Sequence, residues 1–429
     1  MAEAKNKNDQ GYWAFVWRQF RKKKTALYSL YIVALLALVA VLAPFLANEK
    51  PLVCKYQGEL YFPVVKEVAV GLGIGEFQPQ FNNVDWKALD YEMAVFPPVP
   101  YLPMNQDNNN IHSKGPFDEQ DVPSARWKHW FGTDELGRDV LAGMIHGTSI
   151  AMTVGIVSML IASLIGILLG SLAGFYGDDN FQVSRVRLWG NIVFLFFAFF
   201  YAFGTRSYDI TDALGKSLGA GFVQLFISLL IFAAVFVVGN MLIIPLKRLP
   251  FLGTQVTVPF DLIIMRMIEV LNSIPTLFLI LLIISIVRKP NLYVIMGIIG
   301  LTGWTGIARF IRAELLKIRS LEYIEAANSL GYNNSHILFR HAIPNALSPV
   351  LISIAFGVAG AILTESTLSF LGLGPADTVT WGQLLSYARQ IPQAWWLAIF
   401  PGFAIFITVT TFNLIGDGLT DAMDPRLKQ

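Results

Sequence analysis

Three residues that could support acid–base or metal chemistry lie in one short polar segment, namely Asp134, Asp139 and His146. Carboxylates and imidazoles are the usual general acids, general bases and metal ligands of enzymes, so a membrane-embedded enzyme is one hypothesis for this chain. No second group of potential ligands accompanies them. Caps of turns and an ion pair with Arg138 account for the two aspartates more simply. The sequence therefore predicts neither a catalytic residue nor a metal site.

The tripeptide Gly215-Lys216-Ser217 ends like a phosphate-binding loop. Such a loop requires a further glycine at the position that Ile210 occupies in this chain, because its backbone must wrap closely around the phosphates. The chain is therefore not expected to bind and hydrolyse ATP by this route. Any ATPase that acts with it must be another subunit.

The composition is that of a membrane protein. The chain has 429 residues, of which 54% are hydrophobic and 14% are charged, whereas soluble domains average about 25% charged residues. The mean hydropathy is +0.53. The net charge of +2 gives no indication of nucleic-acid binding. The single cysteine, Cys54, cannot form an internal disulfide and has no metal-site spacing.

Glu365 stands inside a long apolar segment. A carboxylate in a membrane span costs about 3 kcal/mol or more unless it faces protein or water. Glu365 is therefore predicted to face a transport pathway or a partner subunit, with an interfacial position as the alternative. In another apolar segment, Arg266 can pair with Glu269 one turn away, and Pro275 can kink the helix. These four residues are the candidate pathway or conformational residues, with interfacial charges and a structural kink as the alternative for that segment.

The elements that must position these residues are membrane-spanning helices. Apolar runs long enough to cross about 30 Å of hydrocarbon predict an all-α polytopic protein with eight spans, at residues 26–47, 149–177, 188–204, 219–244, 261–286, 291–309, 347–370 and 397–415. The basic cluster of residues 21–24 places the N-terminus in the cytoplasm. Arg288 and Lys289 oppose this topology, because it places them outside. The polar run of residues 105–110 is expected to be mobile.

Two sets of regularly spaced glycines predict close helix packing. The first is Gly166, Gly170 and Gly174, for which a lipid-facing coincidence is the alternative, and the second is Gly297, Gly300, Gly303 and Gly306.

Residues 320–346 form the longest run after the first quarter of the chain that is too polar for a bilayer. Ser320 is a candidate N-cap for a helix over residues 323–330. Gly331 can adopt the left-handed conformation that ends it, and a second short helix is expected to run to about Ala342. Pro344 suits the start of the next element. The segment is predicted to be a helix–turn–helix at the membrane surface, and a plain amphipathic hairpin is the bland alternative.

The pattern Glu325-Ala326-Ala327, followed by Gly331 and by Ile343-Pro344, resembles the EAA loop of permease subunits of ATP-binding-cassette importers. The segments Phe131-Gly132-Thr133-Asp134 with Gly137-Arg138-Asp139, residues 261–275 and residues 417–426 resemble the dipeptide and oligopeptide branch of that family. Residues 48–52, with Tyr56, Gly58 and residues 61–63, are similar to the sub-branch that handles microcin C and oligopeptides.

This resemblance implies a type I importer permease bundle in the bacterial inner membrane, with Glu325, Ala326, Ala327, Gly331, Ile343 and Pro344 coupling it to an ATPase. It implies four kinds of partner: a second permease subunit, two ATPase subunits that bind ATP and Mg²⁺, a peptide-binding protein that is periplasmic or lipid-anchored, and the bilayer. No cofactor is expected in this chain. A secondary, ion-coupled transporter is the alternative; it would use the intramembrane charges and predicts inverted repeats, which the sequence does not display.

The expected organisation along the chain is a cytoplasmic or interfacial N-terminal helix (1–25), a first span (26–47), a periplasmic region (48–145) and a second span (149–177). An inserted transmembrane hairpin (185–250) departs from the usual plan of the family. The permease core (260–417) contains the coupling loop (320–346), and a cytoplasmic tail (418–429) ends the chain.

Overall fold

The computed structural model describes residues 12–78, 81, 84–179, 181–216, 218–246, 253–286, 291–375 and 377–423. The chain divides into two compact units. The first comprises Met1–Glu49, Pro97–Phe175 and Ile263–Gln429, and the second comprises Lys50–Phe96 and Tyr176–Leu262. The helices of the first unit are α1 Tyr12–Lys22, α2 Lys24–Leu46, α4 Val140–Ser171, α9 Thr276–Ile286, α10 Leu292–Ile318, α11 Glu322–Ser329, α12 Asn334–Ile337, α13 Ile343–Phe370, α14 Trp381–Gln390 and α15 Trp396–Ala422. Helix α8, Phe260–Ser273, begins in the second unit and ends in the first.

Seven helical segments among the described residues are long and apolar enough to cross a membrane. An eighth candidate is the pair α8 and α9, which are bent by 85° relative to each other. The single kinked span expected over residues 261–286 is therefore broken, and the predicted total of eight is reached only if the pair counts as one span. Pro275 explains the break, because a proline lacks an amide hydrogen and disfavours helical geometry at the residue before it. Arg288 and Lys289 lie outside the described residues.

The second span begins at Val140, earlier than the predicted residue 149. Asp139 is the reason: its Oδ1 accepts a hydrogen bond from the Ala142 amide at 2.6 Å and so caps the first turn of α4. The polar segment that contains His146 is therefore already helical. The region predicted to end at residue 145 overlaps the start of this span.

The glycines of α4 pack directly against α10. A Cβ atom at Gly166 would lie 2.9 Å from the Trp304 carbonyl oxygen, and one at Gly170 would lie 2.5 Å from that of Ala308. Gly174 approaches Arg312 in the same way, at 2.8 Å. The prediction of close packing by this set is confirmed, and the lipid-facing alternative is wrong.

The second predicted set of glycines, on α10, behaves differently. Only Gly300 is tightly packed, with a Cβ position 2.7 Å from Ile161. Gly303 has its nearest neighbour at 3.6 Å, and a Cβ at Gly297 or Gly306 would meet nothing within 4 Å. The prediction of one continuous packing face on α10 is therefore wrong, because only Gly300 of the four meets a neighbouring helix at close range.

Helix α1 packs on the C-terminal end of α15, where Val16 and Phe20 join Ala26 and Ala422 in a buried apolar cluster. Lys23 pairs with Asp421 at 2.7 Å. The N-terminal residues from Tyr12 onward are thus helical, as the sequence predicted, and α1 is held to the bundle by both apolar and ionic contacts.

The second unit contains a small sheet, formed by strands β1 Val53–Tyr56, β2 Glu59–Tyr61 and β3 Met93–Val95 in the order β2-β1-β3, followed in sequence after β2 by helix α3 Pro63–Gly71. Phe81 lies 5.0 Å from the ring centroids of both Tyr61 and Trp86. This part of the region between the first two spans is therefore ordered around an aromatic cluster.

The inserted hairpin belongs to this second unit. It is built from β4 Gln182–Ser184, α5 Arg185–Phe199, α6 Ser207–Lys216, α7 Leu218–Leu246 and β5 Gln255–Thr257. Gly190 lies against Ile243, and Gly239 lies against Phe194, so glycines allow the two long arms to pack closely. A Cβ at Gly219 would lie 3.3 Å from the Leu72 carbonyl oxygen. The start of α7 therefore lies close to the residue that follows α3.

Candidate functional site

The polar hairpin predicted at residues 320–346 is present, with two differences in detail. Ser320 does not cap α11, because its hydroxyl donates to the Lys317 carbonyl at 2.8 Å, and Leu321 precedes the helix instead. Gly331 ends the helix with φ +79°, as predicted. The following helix does not stop near Ala342. It continues through a π-helical turn, Leu338–Ala342, directly into α13, so the hairpin and the span form one continuous element.

The predicted coupling residues differ in exposure. Glu325, Ala326 and Gly331 are exposed, whereas Ala327 is buried beside Ile324. Farther along, Ile343 is half-buried and Pro344 is exposed in the first turn of α13. Glu325 and Ala326 therefore present a carboxylate and a small side chain on the surface of the hairpin, whereas Ala327 does not reach that surface.

Large apolar side chains on this hairpin are exposed, and sequence reasoning did not single them out. We call them the loop surface: Leu321, Tyr323, Leu330, Tyr332 and Phe339. Leu330 is 77% exposed and Phe339 is 66% exposed. Apolar side chains in a segment too polar for lipid are typical of a protein interaction surface. The sequence signal that could have identified them is the presence of large apolar residues in a hairpin that is otherwise too polar to lie in the bilayer.

A second candidate site is a cavity of 740 Å³ in the first unit, lined mainly by α9, α10 and α13. Its wall includes the small or hydroxyl-bearing residues Thr302, Gly303, Gly306, Gly360 and Thr364. None of its lining side chains carries a charge. The two glycines of α10 that were expected to pack against a neighbouring helix therefore widen this cavity instead.

The four candidate pathway residues are not gathered around the cavity. Glu365 is 1% exposed, and its Oε1 accepts a hydrogen bond from Ser369 at 2.6 Å. It follows Thr364 in sequence but lies behind the wall that Thr364 forms. Arg266 and Glu269 pair at 2.6 Å on the exposed surface of α8, and Pro275 lies in the break between α8 and α9.

The residues considered for acid–base chemistry do not converge on one point. Asp134 pairs with Arg138 at 2.7 Å, and His146 Nε2 lies 2.8 Å from the Ala47 carbonyl oxygen. Asp139 contacts His129, a residue that the sequence analysis did not single out. Among the residues that the structure describes, no group of three or more His, Cys, Asp or Glu side chains could hold a metal ion.

The pKa shifts in the polar segment before α4 follow from burial and ion pairing. Burial alone would lower the pKa of Arg138, but the adjacent Asp134 carboxylate outweighs it and raises that pKa. Burial raises the pKa of Tyr101, whose ring stacks on His129 at 4.3 Å between centroids.

The expected mobility of residues 105–110 is wrong, since Asn110 is fully buried and donates to the Asp121 carbonyl at 2.9 Å.

The sequence pattern of the family described as "Binding-protein-dependent transport system inner membrane component" matches residues 251–429. The pattern described as "N-terminal TM domain of oligopeptide transport permease C" matches residues 11–57. These two regions contain the loop surface and helices α1 and α2, respectively.

Relatives of known name cover most of the chain. The inner membrane ABC transporter permease protein YejE of Escherichia coli is 28% identical over 95% of this chain and 96% of its own length. The peptidoglycan transport system permease protein YejE of Agrobacterium fabrum is 26% identical over 96% of this chain and 92% of its own length. The dipeptide transport system permease protein DppC of Bacillus subtilis is 30% identical over 72% of both chains. The chain therefore belongs to the inner membrane permeases of binding-protein-dependent ABC transporters, in the dipeptide and oligopeptide branch.

Proposed function

We propose that this chain is one half of a heterodimeric permease that imports peptides, driven by two ATPase subunits that bind ATP and Mg²⁺. Membership of the peptide permease branch supports the class of transported solute. The observation that carries the energy coupling is the exposed loop surface on a hairpin continuous with α13. No cofactor in this chain and no catalytic step by this chain are part of the proposal.

The hairpin is proposed to transmit motion from an ATPase to the spans. Glu325 can accept hydrogen bonds from the ATPase, Ala326 allows its backbone to approach, and Gly331 fixes the angle between α11 and α12. Since the chain continues as helix from Asn334 to Phe370, a displacement of the hairpin is passed to α13 without an intervening loop. Ile343 and Pro344 lie in the first turn of α13, where the displacement of the hairpin is passed to the span.

The cavity is proposed to be this chain's half of the transport pathway, completed by the second permease. Its lining of glycine, hydroxyl and apolar side chains can accommodate peptides of different sequence, because no fixed charge selects or repels a particular side chain. Selectivity would then reside in the external peptide-binding protein that delivers the solute. ATP binding shifts the equilibrium between two states of the permease only if the ATPase binds those states unequally.

The ion-coupled alternative has less support from the geometry. Coupling to a proton would require an ionisable side chain along the cavity, but the lining residues carry none and Glu365 is buried and does not line the cavity. Family membership also favours the ATP-driven transporter.

Co-purification tests the proposal. We expect the tagged chain, expressed with the remaining subunits of its transporter, to retain an ATPase subunit and to import peptide into vesicles only when ATP is supplied. Leu330→Ser should weaken retention of the ATPase, whereas Leu136→Ser, in the extracytoplasmic segment and also exposed, should not. Uptake without ATP, or turnover of a substrate by the isolated chain, would contradict the proposal.

A further inference from the structure

Helix α1 has a basic face that its packing against the bundle does not use. The helix contains three basic residues and no acidic residue. Val16 and Phe20 are buried in the cluster that α1 forms with α15, whereas Arg21 and Lys22 are exposed. Within the described part of the chain, neither Arg21 nor Lys22 forms an ion pair. These two cations are therefore available to a negatively charged group from outside the chain.

Two exposed tryptophans accompany the cations. Residues four apart lie on one side of a helix, so Trp13 and Trp17 form a row, and they are 54% and 49% exposed. At 3.6 residues per turn, this row lies between the buried row of Val16 and Phe20 and the basic face. The Trp17 ring stacks on Phe20, with 5.9 Å between centroids and 10° between planes. An apolar face bordered by tryptophans and then by cations is typical of helices in the interfacial region of a membrane.

The position of α1 in the chain places it at this interfacial region. The helix has 11 residues, which corresponds to about 16 Å and is too short to cross a bilayer. Lys23 interrupts it with extended backbone, φ −81° and ψ 92°, and the candidate span α2 begins at the next residue. The basic C-terminal end of α1 is therefore one residue away from the end of a membrane span, where phospholipid headgroups begin.

Contacts with α2 and α15 fix the orientation of α1. Lys23 Nζ pairs with Asp421 of α15 at 2.7 Å, so this cation is already neutralised within the chain. A Cβ at Gly418 would overlap the Ala26 side chain and would lie 2.9 Å from the Phe20 ring, so a glycine is needed for α15 to lie this close to α1 and α2. Since the apolar face is held in this way, the basic face points away from these contacts.

The basic face borders an open groove, which is lined by Trp17, Arg18, Arg21 and Lys22 together with Ala14. We propose that this groove binds the headgroup of an anionic phospholipid from the leaflet at the start of α2, with Arg21 and Lys22 contacting the phosphate. A zwitterionic lipid also carries a phosphate, but its own ammonium group would lie among these cations, so the groove prefers an anionic lipid. An acidic surface of a partner protein would complement the charges, but it would not account for the row of exposed tryptophans beside a span. The inference concerns lipid binding and does not depend on the proposed transport function.

The experiment measures quenching of tryptophan fluorescence by brominated phosphatidylglycerol, an anionic lipid, in the purified complete transporter held in mixed micelles of detergent and phosphatidylcholine. Each protein is titrated with and without Trp17→Phe, and the difference between the two curves reports lipid beside Trp17. The test variant combines Arg21→Gln with Lys22→Gln. A second variant combines Arg21→Lys with Lys22→Arg and keeps both charges. The matched control combines Lys55→Gln with Lys87→Gln, which removes two exposed cations from the second unit.

We expect the double glutamine variant to need about 30-fold more brominated phosphatidylglycerol for half-quenching, because each cation contributes about 1 kcal/mol. Each single glutamine substitution should shift the midpoint about fivefold, which keeps the test available if the double variant fails to assemble. The charge-keeping variant and the matched control should behave as the wild type, and brominated phosphatidylcholine should quench the wild type only weakly.

Three results would overturn the inference. The first is an equal midpoint for the wild type and all the glutamine variants of Arg21 and Lys22. The second is equal quenching by the two brominated lipids. The third is displacement of the lipid by inorganic phosphate at the same concentration, which would assign the groove to a free anion.

Discussion

The Nδ1 atom of His129 lies 2.7 Å from Oδ2 of Asp139, and both side chains are buried. The opposite ring nitrogen, Nε2, lies 3.1 Å from Oδ2 of Asp107. The imidazole ring of His129 is therefore held between the carboxyl groups of Asp139 and Asp107. Since Asp139 also caps α4, this arrangement ties the polar segment around Asp107 to the start of α4.

This tie predicts a defined response to acid. Burial alone would raise the pKa of Asp107, but hydrogen bonds from Asn110, His129 and the Asn109 amide outweigh it and lower that pKa. A carboxylate with a lowered pKa in the folded state stabilises the fold above its unfolded pKa of about 3.9, and this contribution is lost as the pH falls through the folded value. We expect Asp107→Asn to lower the stability by about 1 kcal/mol near neutral pH and to flatten the loss of stability below about pH 4.

The measurement is thermal unfolding of the purified transporter in detergent, followed by tryptophan fluorescence across the acidic range. Other carboxylates titrate in the same range, so the informative quantity is the difference between wild type and variant. Glu119→Gln, at an exposed position of the same segment, is the control and should leave the curve unchanged. An acid response of Asp107→Asn identical to that of the wild type would show that Asp107 does not stabilise this segment.

The contact between α4 and α10 predicts a steric effect. A Cβ at Gly170 would lie 2.5 Å from the Ala308 carbonyl oxygen and 2.9 Å from its Cα, and backbone atoms cannot move aside as a flexible side chain can. Gly170→Val is therefore expected to destabilise the protein by about 1 to 3 kcal/mol and to lower its apparent melting temperature in detergent. Gly297→Val is the control, since a Cβ there meets nothing within 4 Å. Equal melting temperatures for the two variants would contradict the packing interpretation.

These two sets of glycines show what the spacing of residues in a sequence can and cannot predict. Both sets have a spacing that predicts a small-residue face, yet only the set on α4 packs closely along its whole length. Spacing identifies the face of a helix, but it does not identify what covers that face. On α10 the answer depends on α9 and α13, which line the same cavity as Gly303 and Gly306.

The candidate site was predictable to the extent that it is local. Gly331 follows α11 directly, so its role in ending that helix could be read from adjacent residues, and the structure gives it φ +79°. The tie of Asp107 to His129 joins residues far apart in the chain, in a segment without periodicity, and gave no local signal. The burial of Glu365 depends in the same way on the packing of α13 against other helices, which a pattern within one helix cannot predict.

The uncharged cavity predicts a dependence on solute size. Gly360 lines it, and a Cβ at this position meets nothing within 4 Å, so Gly360→Leu should fold normally and project a side chain into the space. We expect uptake of longer peptides to fall more than uptake of dipeptides, as measured in vesicles with labelled peptides of increasing length. Gly402→Leu on α15 is the control, since it also has open space around it but is absent from the cavity wall. Equal loss for short and long peptides would argue against a pathway through this cavity.

The last prediction concerns the turn of the coupling hairpin. A Cβ at Gly331 meets nothing within 4 Å, so even Gly331→Trp has room within the isolated chain, and its strain is limited to about 1 to 2 kcal/mol from the left-handed backbone. The same variant places a bulky ring on the exposed turn of the hairpin, whose surface is proposed to bind the ATPase. We therefore expect Gly331→Trp and Glu325→Lys to insert normally in the membrane and to lose ATP-driven uptake.

Gly331→Asn separates strain from docking, because asparagine tolerates the left-handed conformation and is small, and it should retain most uptake. Membrane abundance measured by immunoblot, together with uptake and ATPase retention, distinguishes these effects. Normal uptake by both Gly331→Trp and Glu325→Lys would mean that force reaches α13 through some other surface.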